Sequence, residues 1–438
     1  MMENLVFALK GAVVYTEEKE RFICHDNAYV VCENGVSAGV YRELPANYKD
    51  IQVMDYGSHV IIPGLCDLHL HAPQYGFRGL GRNIEADGWG TWFDIYAFPE
   101  ESHYRDLEYA ARAYERFTHD LMKTTTTTRA VMFATIHRPA TELLMSMLYK
   151  KGFAAYVGKV NMDRNSMEGL VETTEESLRE TEEWLRDCGG LYGPVKPVIT
   201  PRYVPTCTNQ LLEGLGALAE KYNVPVQSHL SEGLDEIKWV NELEPGLTCY
   251  GEAYDRYGLM GSAVPAVMAH CVFPNEAEME LMRERKVMVA HCPECNMFAA
   301  NIAPVREYLD SGIAVGLGSD MAGVGHLEMF QVVKHAILAS RVRWAQTERG
   351  DDPDAVMGGL SWSEAFYLAT KGGGSFWGKA GSFEPGYLFD AVVLDDTSIA
   401  DLSRRSTCER IERLIQAGDD RNIVAKYIEG RLVYGSSK

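Results

Sequence analysis

Histidine makes up only 12 of the 438 residues, yet it recurs directly after short apolar runs. His69-Leu70-His71 follows Ile61-Ile62-Pro63-Gly64-Leu65-Cys66-Asp67-Leu68, and His229 follows Val224-Pro225-Val226-Gln227-Ser228. His270 closes Ala266 to Ala269, His291 closes Val287 to Ala290, and Asp320 closes Ile313 to Ser319. Alternate side chains of a strand share one face about 6.5–7 Å apart, so His69 and His71 can turn toward one cation. Alone, a His-x-His pair reads equally well as two polar loop residues. Imidazoles at four strand ends, drawn from so small a pool, point instead to a built site.

Zinc takes nitrogen and oxygen ligands, and a catalytic site keeps one position open for water. His69, His71, His229 and Asp320 supply such a sphere, in which a water loses a proton near neutral pH. Iron fits the same ligands. Glu232, three residues beyond His229, is placed to shuttle protons to a substrate while staying off the metal. Its plain alternative is a solvated loop carboxylate. Asp320 can also accept a proton from the water, and His270 can hydrogen-bond the nucleophile or the developing charge. For His291 a structural and a catalytic hydrogen bond are both open.

These residues must be held by elements of a particular kind. Apolar runs at 59–65, 130–136, 154–161, 196–200, 224–228, 266–269, 286–290 and 313–319 alternate with amphipathic stretches such as Glu175 to Cys188 and Glu276 to Glu284. That is the pattern of repeated βα units. Eight such units predict a closed (β/α)8 barrel over 63–375, whose functional groups gather where the strands end. Residues 1–62 and 376–438 are β-rich, with turns expected at Glu33-Asn34-Gly35 and Glu429-Gly430. They predict a composite β-sandwich assembled from both chain ends, in an α/β protein overall.

Bulk properties narrow the functions available. With 46% hydrophobic and 24% charged residues the chain reads as an ordinary globular protein. A net charge of −20 repels phosphate backbones and argues against nucleic acid as a partner. No apolar run reaches membrane-spanning length, and Met1-Met2-Glu3-Asn4 lacks the basic and apolar regions of a secretion signal. Ten scattered cysteines, among them Cys24, Cys32, Cys66 and Cys271, fit reduced thiols in a cytoplasmic compartment better than disulfides.

Pro63-Gly64-Leu65-Cys66-Asp67-Leu68-His69-Leu70-His71 resembles the opening motif of the amidohydrolase superfamily, and residues 60 to 375 follow that pattern. Pro385 to Asp390 resembles the family's return into its flanking sheet domain. The segments His71-Ala72-Pro73-Gln74-Tyr75, Thr200-Pro201-Arg202, Gln227 to Glu232 and Gly316 to Gly323 resemble more narrowly the branch that hydrolyses guanine to xanthine and ammonia. The resemblance implies one zinc on His69, His71, His229 and Asp320, with Glu232, Asp320 and His270 catalytic. It also implies a substrate pocket of Gln74, Arg202, Tyr203, His71, His229 and Glu232, and a homodimer. Guanine suits Gln74 and Arg202, because arginine donates to a carbonyl and glutamine both donates and accepts. The family carries phenylalanine where Tyr203 stands, so either the main chain binds or the ring's hydroxyl needs a partner. The fourth strand ends in Thr200-Pro201-Arg202, without the modified lysine of the two-metal members, which implies a single metal.

Other patterns are set aside. Cys292-Pro293-Glu294-Cys295 has no second pair at zinc-ribbon spacing and follows a strand, so it reads as a barrel loop. Gly373 to Lys379 approaches a phosphate loop, but Ala380 replaces the Ser/Thr and no strand precedes it. His137 follows the second strand without an assignable role, while His326 and His335 fall in a helical stretch. The rivals are an aminohydrolase acting on adenosine-like, triazine or cytosine substrates, a cyclic-amide hydrolase of the same architecture, and a non-enzymatic metal protein.

Overall fold

The structure, a computed structural model, describes residues 5–81, 91–321, 323, 325–352, 354–399 and 403–435. Met1 to Asn4 and Ala322, which enter the sequence readings above, lie outside the described residues. Both chain ends enter one seven-stranded sheet. Its order is Arg431–Gly435, Ile423–Ile428, Ala391–Leu394, Gln52–Pro63, Val6–Tyr15, Ile23–Glu33, Val36–Tyr41. The expected turns form it. Asn34 and Gly35 take φ of 52° and 83°, and Glu429 and Gly430 take 48° and 76°, the left-handed pairs that a two-residue hairpin needs.

The hydrogen-bond order contains one sheet where the sequence suggested two stacked ones, and curvature explains the difference. Three strand spacings separate Val6–Tyr15 from Ile423–Ile428, about 14 Å in a flat sheet. Yet the rings of Phe7 and Tyr427 lie 5.9 Å apart, and the hydroxyls of Tyr56 and Tyr427 are 2.7 Å apart. The sheet therefore curls around its own core of Phe7, Leu9, Val30, Ile61, Phe389 and Tyr427. Register shifts at Gly11/Val13 and Val393/Leu394 supply the bends.

The middle of the chain forms two parallel four-stranded sheets. One holds Leu65–His71, Thr127–Phe133, Ala154–Gly158 and Val195–Pro197, the other Val226–Leu230, Ala266–His270, Met288–His291 and Ala314–Leu317. Most residues of these strands are buried, as strands covered on both faces must be. The sheets meet at the Ile199–Val226 bridge, where Gln227 N–H donates to the Ile199 carbonyl at 2.9 Å. On the opposite side Asp320 N–H donates to the His69 carbonyl at 2.8 Å and His71 N–H to Met321 at 2.5 Å.

Helices fill the connections where capping residues announce them. Thr173 caps Thr174–Cys188, Thr208 caps Asn209–Tyr222, and Ser406 with Glu409 forms a capping box on Thr407–Ala417. Among the described residues no helix is long and apolar enough to cross a membrane.

Two expectations change. The apolar run at 59–65 is not one element: Gln52–Pro63 belongs to the terminal sheet, and a new strand starts at Leu65. Gly64 makes the joint, because a Cβ there would lie 2.0 Å from Thr128 Oγ1. The ten cysteines are also not all reduced: Cys24 and Cys408 form a disulfide across 384 residues, and the eight free thiols are buried. The sheet and the barrel-like core are tied by Arg129, whose Nε donates to Asp390 Oδ2 at 2.5 Å and Nη2 to Glu429 at 3.1 Å.

Candidate active site

Strand alternation puts His69 and His71 on one face with their rings 5.0 Å apart. Asp320, delivered by the last strand, places Oδ1 3.1 Å from His69 Nε2 and 3.6 Å from His71 Nε2. His229 brings its Nε2 to 3.2 Å from His71 Nε2. The four side chains are almost fully buried, and His69 Nε2 makes no aligned hydrogen bond despite its short distance to Asp320. Nitrogens and a carboxylate oxygen crowded together without donors between them are what a shared cation requires. His69, His71 and Asp320 offer ligand atoms within 4.8 Å of one another, as do His69, His229 and His270. The donor set therefore fits a metal ion.

The surrounding contacts fix which nitrogen points inward. The Arg202 main-chain carbonyl lies 2.6 Å from His229 Nδ1, which must donate, leaving Nε2 as a lone pair. In the same way Asn296 Oδ1 lies 3.0 Å from His270 Nδ1. His270 Nε2 then faces Glu232 Oε2 at 3.6 Å and Asp320 Oδ2 at 3.8 Å. Burial lowers the pKa of His69, His71 and His229, favouring the neutral form that ligates. Burial opposes the charge on Asp320, but the neighbouring imidazoles, His69 first, outweigh it and hold the carboxyl well below its usual range. Glu232 is pushed up by burial, as a proton carrier should be. For His270, burial lowers the pKa, but the Glu232 and Asp320 carboxylates raise it further. The loops that aim these groups are strained: Ser231, His270, Cys271 and Asp320 all have φ between 48° and 72°.

A cavity of about 240 Å³ opens beside this cluster, lined by Arg202, Tyr203, His229, Glu232, Glu236 and Trp239 among others. The Tyr203 ring meets Trp239 edge-on at 6.3 Å, so the ring itself faces this space. Gln74, in the turn Ala72–Phe77, donates from Nε2 to Glu101 Oε1 at 2.7 Å. Arg202 Nη1 donates to the same carboxylate at 2.9 and 2.8 Å, and its guanidinium lies 5.2 Å from the Phe98 ring centroid. Residues from distant parts of the chain thus meet at one corner.

Arg202, Tyr203, His229 and Glu232 line the cavity, His69, His71, His270 and Asp320 cluster beside it, and Gln74 joins Arg202 only through Glu101. His291 is close in sequence but apart in role: burial holds its pKa down to about 3, and it joins none of the metal-capable groups among the described residues. His137 begins the helix Arg138–Lys150, with its pKa lowered by burial to about 4. His326 and His335 flank Glu294 at 2.9 and 3.6 Å. The Cys-x-x-Cys segment, expected as a loop, instead forms the N-terminal turn of the short helix Pro293–Phe298, and Cys295 Sγ lies 4.0 Å from Glu232 Oε1. Glu101, Asn296, Glu236 and Trp239 were not legible. Only the rule that a buried arginine needs a carboxylate hinted at Glu101, and it did not say which.

Comparison with known proteins agrees with this geometry. The model of the amidohydrolase family matches residues 60–433. Guanine deaminase of Dictyostelium discoideum is 33% identical over 463 residues, covering 99% of each chain. That of Escherichia coli K12 is 33% identical, over 88% of this chain and 85% of its own. Among solved structures, guanine deaminase from C. acetobutylicum with guanine bound in its active site superposes with a TM-score of 0.92 at 42% identity, covering 98% of this chain and all of that one. The chain belongs to the amidohydrolase family and, within it, groups with the guanine deaminases.

Proposed function

We propose that this chain is a zinc-dependent guanine deaminase, releasing ammonia and xanthine from guanine and water. The observation that carries the reading is that Arg202, His229 and Glu232 line one cavity, beside a cluster of three imidazoles and a carboxylate. His69, His71, His229 and Asp320 would hold one zinc, which would supply Lewis-acid activation of the attacking water. Arg202 donates to the purine carbonyl, and Gln74 pairs with the same polar edge. Glu232, in the cavity wall, protonates the ring nitrogen beside the carbon that carries the amine. Asp320 accepts the proton of the attacking water, and His270 holds the incoming oxygen through Nε2. Asp320 returns its proton to the amine so that the tetrahedral carbon expels ammonia, and loss of the hydroxyl proton to Glu232 leaves the carbonyl of xanthine.

The same reading closes the two parallel sheets into a (β/α)8 barrel over 63–375, with 1–62 and 376–438 completing the terminal domain. The main-chain hydrogen bonds from Asp320 to the His69 carbonyl and from His71 to the Met321 carbonyl, which join the end of the last strand to the first, support closure. A homodimer and a cytoplasmic location complete the assignment on the strength of family resemblance. Ammonia release from guanine, adenine, cytosine, guanosine and melamine tests it: guanine is the substrate expected. Turnover of another amine alone would overturn the substrate, and no ammonia from a zinc-loaded sample would favour cyclic-amide cleavage.

A further inference from the structure

Glu101 has no part in the reaction above, yet it is 1% exposed and both its oxygens are engaged. Oε1 accepts from Gln74 Nε2 at 2.7 Å and from Arg202 Nη1 at 2.9 Å, and Oε2 accepts from Arg202 Nη1 at 2.8 Å. An ionised carboxylate only accepts hydrogen bonds. The end of Gln74 that faces it must therefore be the amide NH2. That fixes Gln74 Oε1 on the opposite side, where it accepts no hydrogen bond among the described residues. Arg202, which lines the cavity, likewise commits Nη1 to Glu101, and its remaining side-chain donors have no protein hydrogen-bond partner among the described residues.

We propose that Glu101 is a positioning residue that sets the hydrogen-bond polarity of the base-binding wall, presenting a donor from Arg202 beside an acceptor from Gln74. The inference rests on the guanine reading and deepens it. A carbonyl next to a ring N–H matches that wall. A purine with the same reactive amine but a bare ring nitrogen at that edge, such as 2,6-diaminopurine, meets acceptor against acceptor at Gln74 and, through its second amine, donor against donor at Arg202, and is rejected. Glutamine at position 101 has both donor and acceptor ends. It frees Gln74 to turn over and offer its NH2 to the bare nitrogen.

The test is a double-mutant cycle on the metal-loaded enzyme, reading the ratio of kcat/KM for guanine to that for 2,6-diaminopurine. Glu101→Gln is expected to lower the ratio at least tenfold. In a Gln74→Met background the same change should leave the ratio within twofold, because the residue through which Glu101 acts is gone. A ratio unmoved by Glu101→Gln, or lowered equally in both backgrounds, overturns the proposal in favour of simple charge balance for Arg202. If Glu101→Gln does not fold, Glu101→Asp keeps an acceptor-only group. It should preserve the ratio while slowing guanine turnover, and loss of the ratio to the level of Gln74→Met overturns the proposal. Failure of the functional reading is separate: wild-type enzyme would release no ammonia from guanine. The cycle would then be read on dissociation constants for the two purines.

Discussion

Replacing Glu232 by Gln removes one proton-carrying group while keeping its shape, and the consequences can be worked out in advance. The side chain is 20% exposed, with Oε2 3.6 Å from His270 Nε2, and its main-chain N–H is held by Glu236 Oε2 at 3.0 Å. The amide keeps that anchor and fills the same space. General acid–base catalysis contributes about 10²–10⁴ in rate, so kcat should fall by that factor, or about 3–5 kcal/mol of transition-state stabilisation. The pair is largely buried, but at 3.6 Å it is no close hydrogen bond, so trading the acid for a neutral isostere should cost about 1 kcal/mol of stability. With an unfolding entropy near 2.1 cal/mol/K per residue over 438 residues, that is a melting shift of about 1 °C. The assay is xanthine formation under saturating guanine, with metal content and melting temperature measured on the same sample. A variant with kcat within tenfold of wild type and its metal intact would remove Glu232 from the proton path.

Other groups make equally specific demands. Asp390→Asn leaves the buried Arg129 with only Glu429, at 3.1 Å, so stability should drop by about 3 kcal/mol with turnover unchanged; an unaltered denaturation midpoint contradicts this. Glu294 is raised by burial but lowered more strongly by hydrogen bonds from His326 and His335, to about 2. Its folded pKa lies below the ordinary 4.5, so its contribution is present above pH 4.5 and disappears as pH falls toward 2. Glu294→Gln should flatten the stability profile in that window, and an identical acid limb in wild type and variant would refute the pairing. Chelation should lower the melting temperature as well as activity, because a ligand at ~1,000 times its Kd stabilises by about 4 kcal/mol. Zinc should restore both, and an apo-protein that melts like the holo-protein would place the metal elsewhere.

What could be read from the sequence was whatever depends on local periodicity. Strand alternation announced His69 with His71, and the barrel rule, that function gathers at strand ends, collected His229, His270 and Asp320. Helices were visible where amphipathic spacing announced them, as at Glu175 to Cys188 and Glu276 to Glu284, whereas the helix Thr407–Ala417 lies in a terminal stretch read as β-rich. Contacts between remote segments were invisible. Glu101 lies in a short helix with no spacing signal of its own, and its meaning appears only when Gln74 and Arg202 arrive from the ends of two other strands. The Cys24–Cys408 bond depends on the helix Thr407–Ala417 packing on the terminal sheet, a relation of chain ends that no local pattern records. The joint at Gly64 was hidden for another reason: one apolar run crosses it without a break, and only the contact with Thr128 shows that two sheets meet there.

At the centre of the proposal, four side chains gather one zinc beside the cavity of about 240 Å³. Anomalous diffraction on crystals of the loaded enzyme, collected above and below the zinc absorption edge, tests it most directly. One edge-dependent peak bonded to His69, His71, His229 and Asp320, with Glu232 outside the coordination sphere, is the expected result. A peak bonded instead to Glu232 and Cys295, or no peak in crystals of fully active enzyme, would contradict the account.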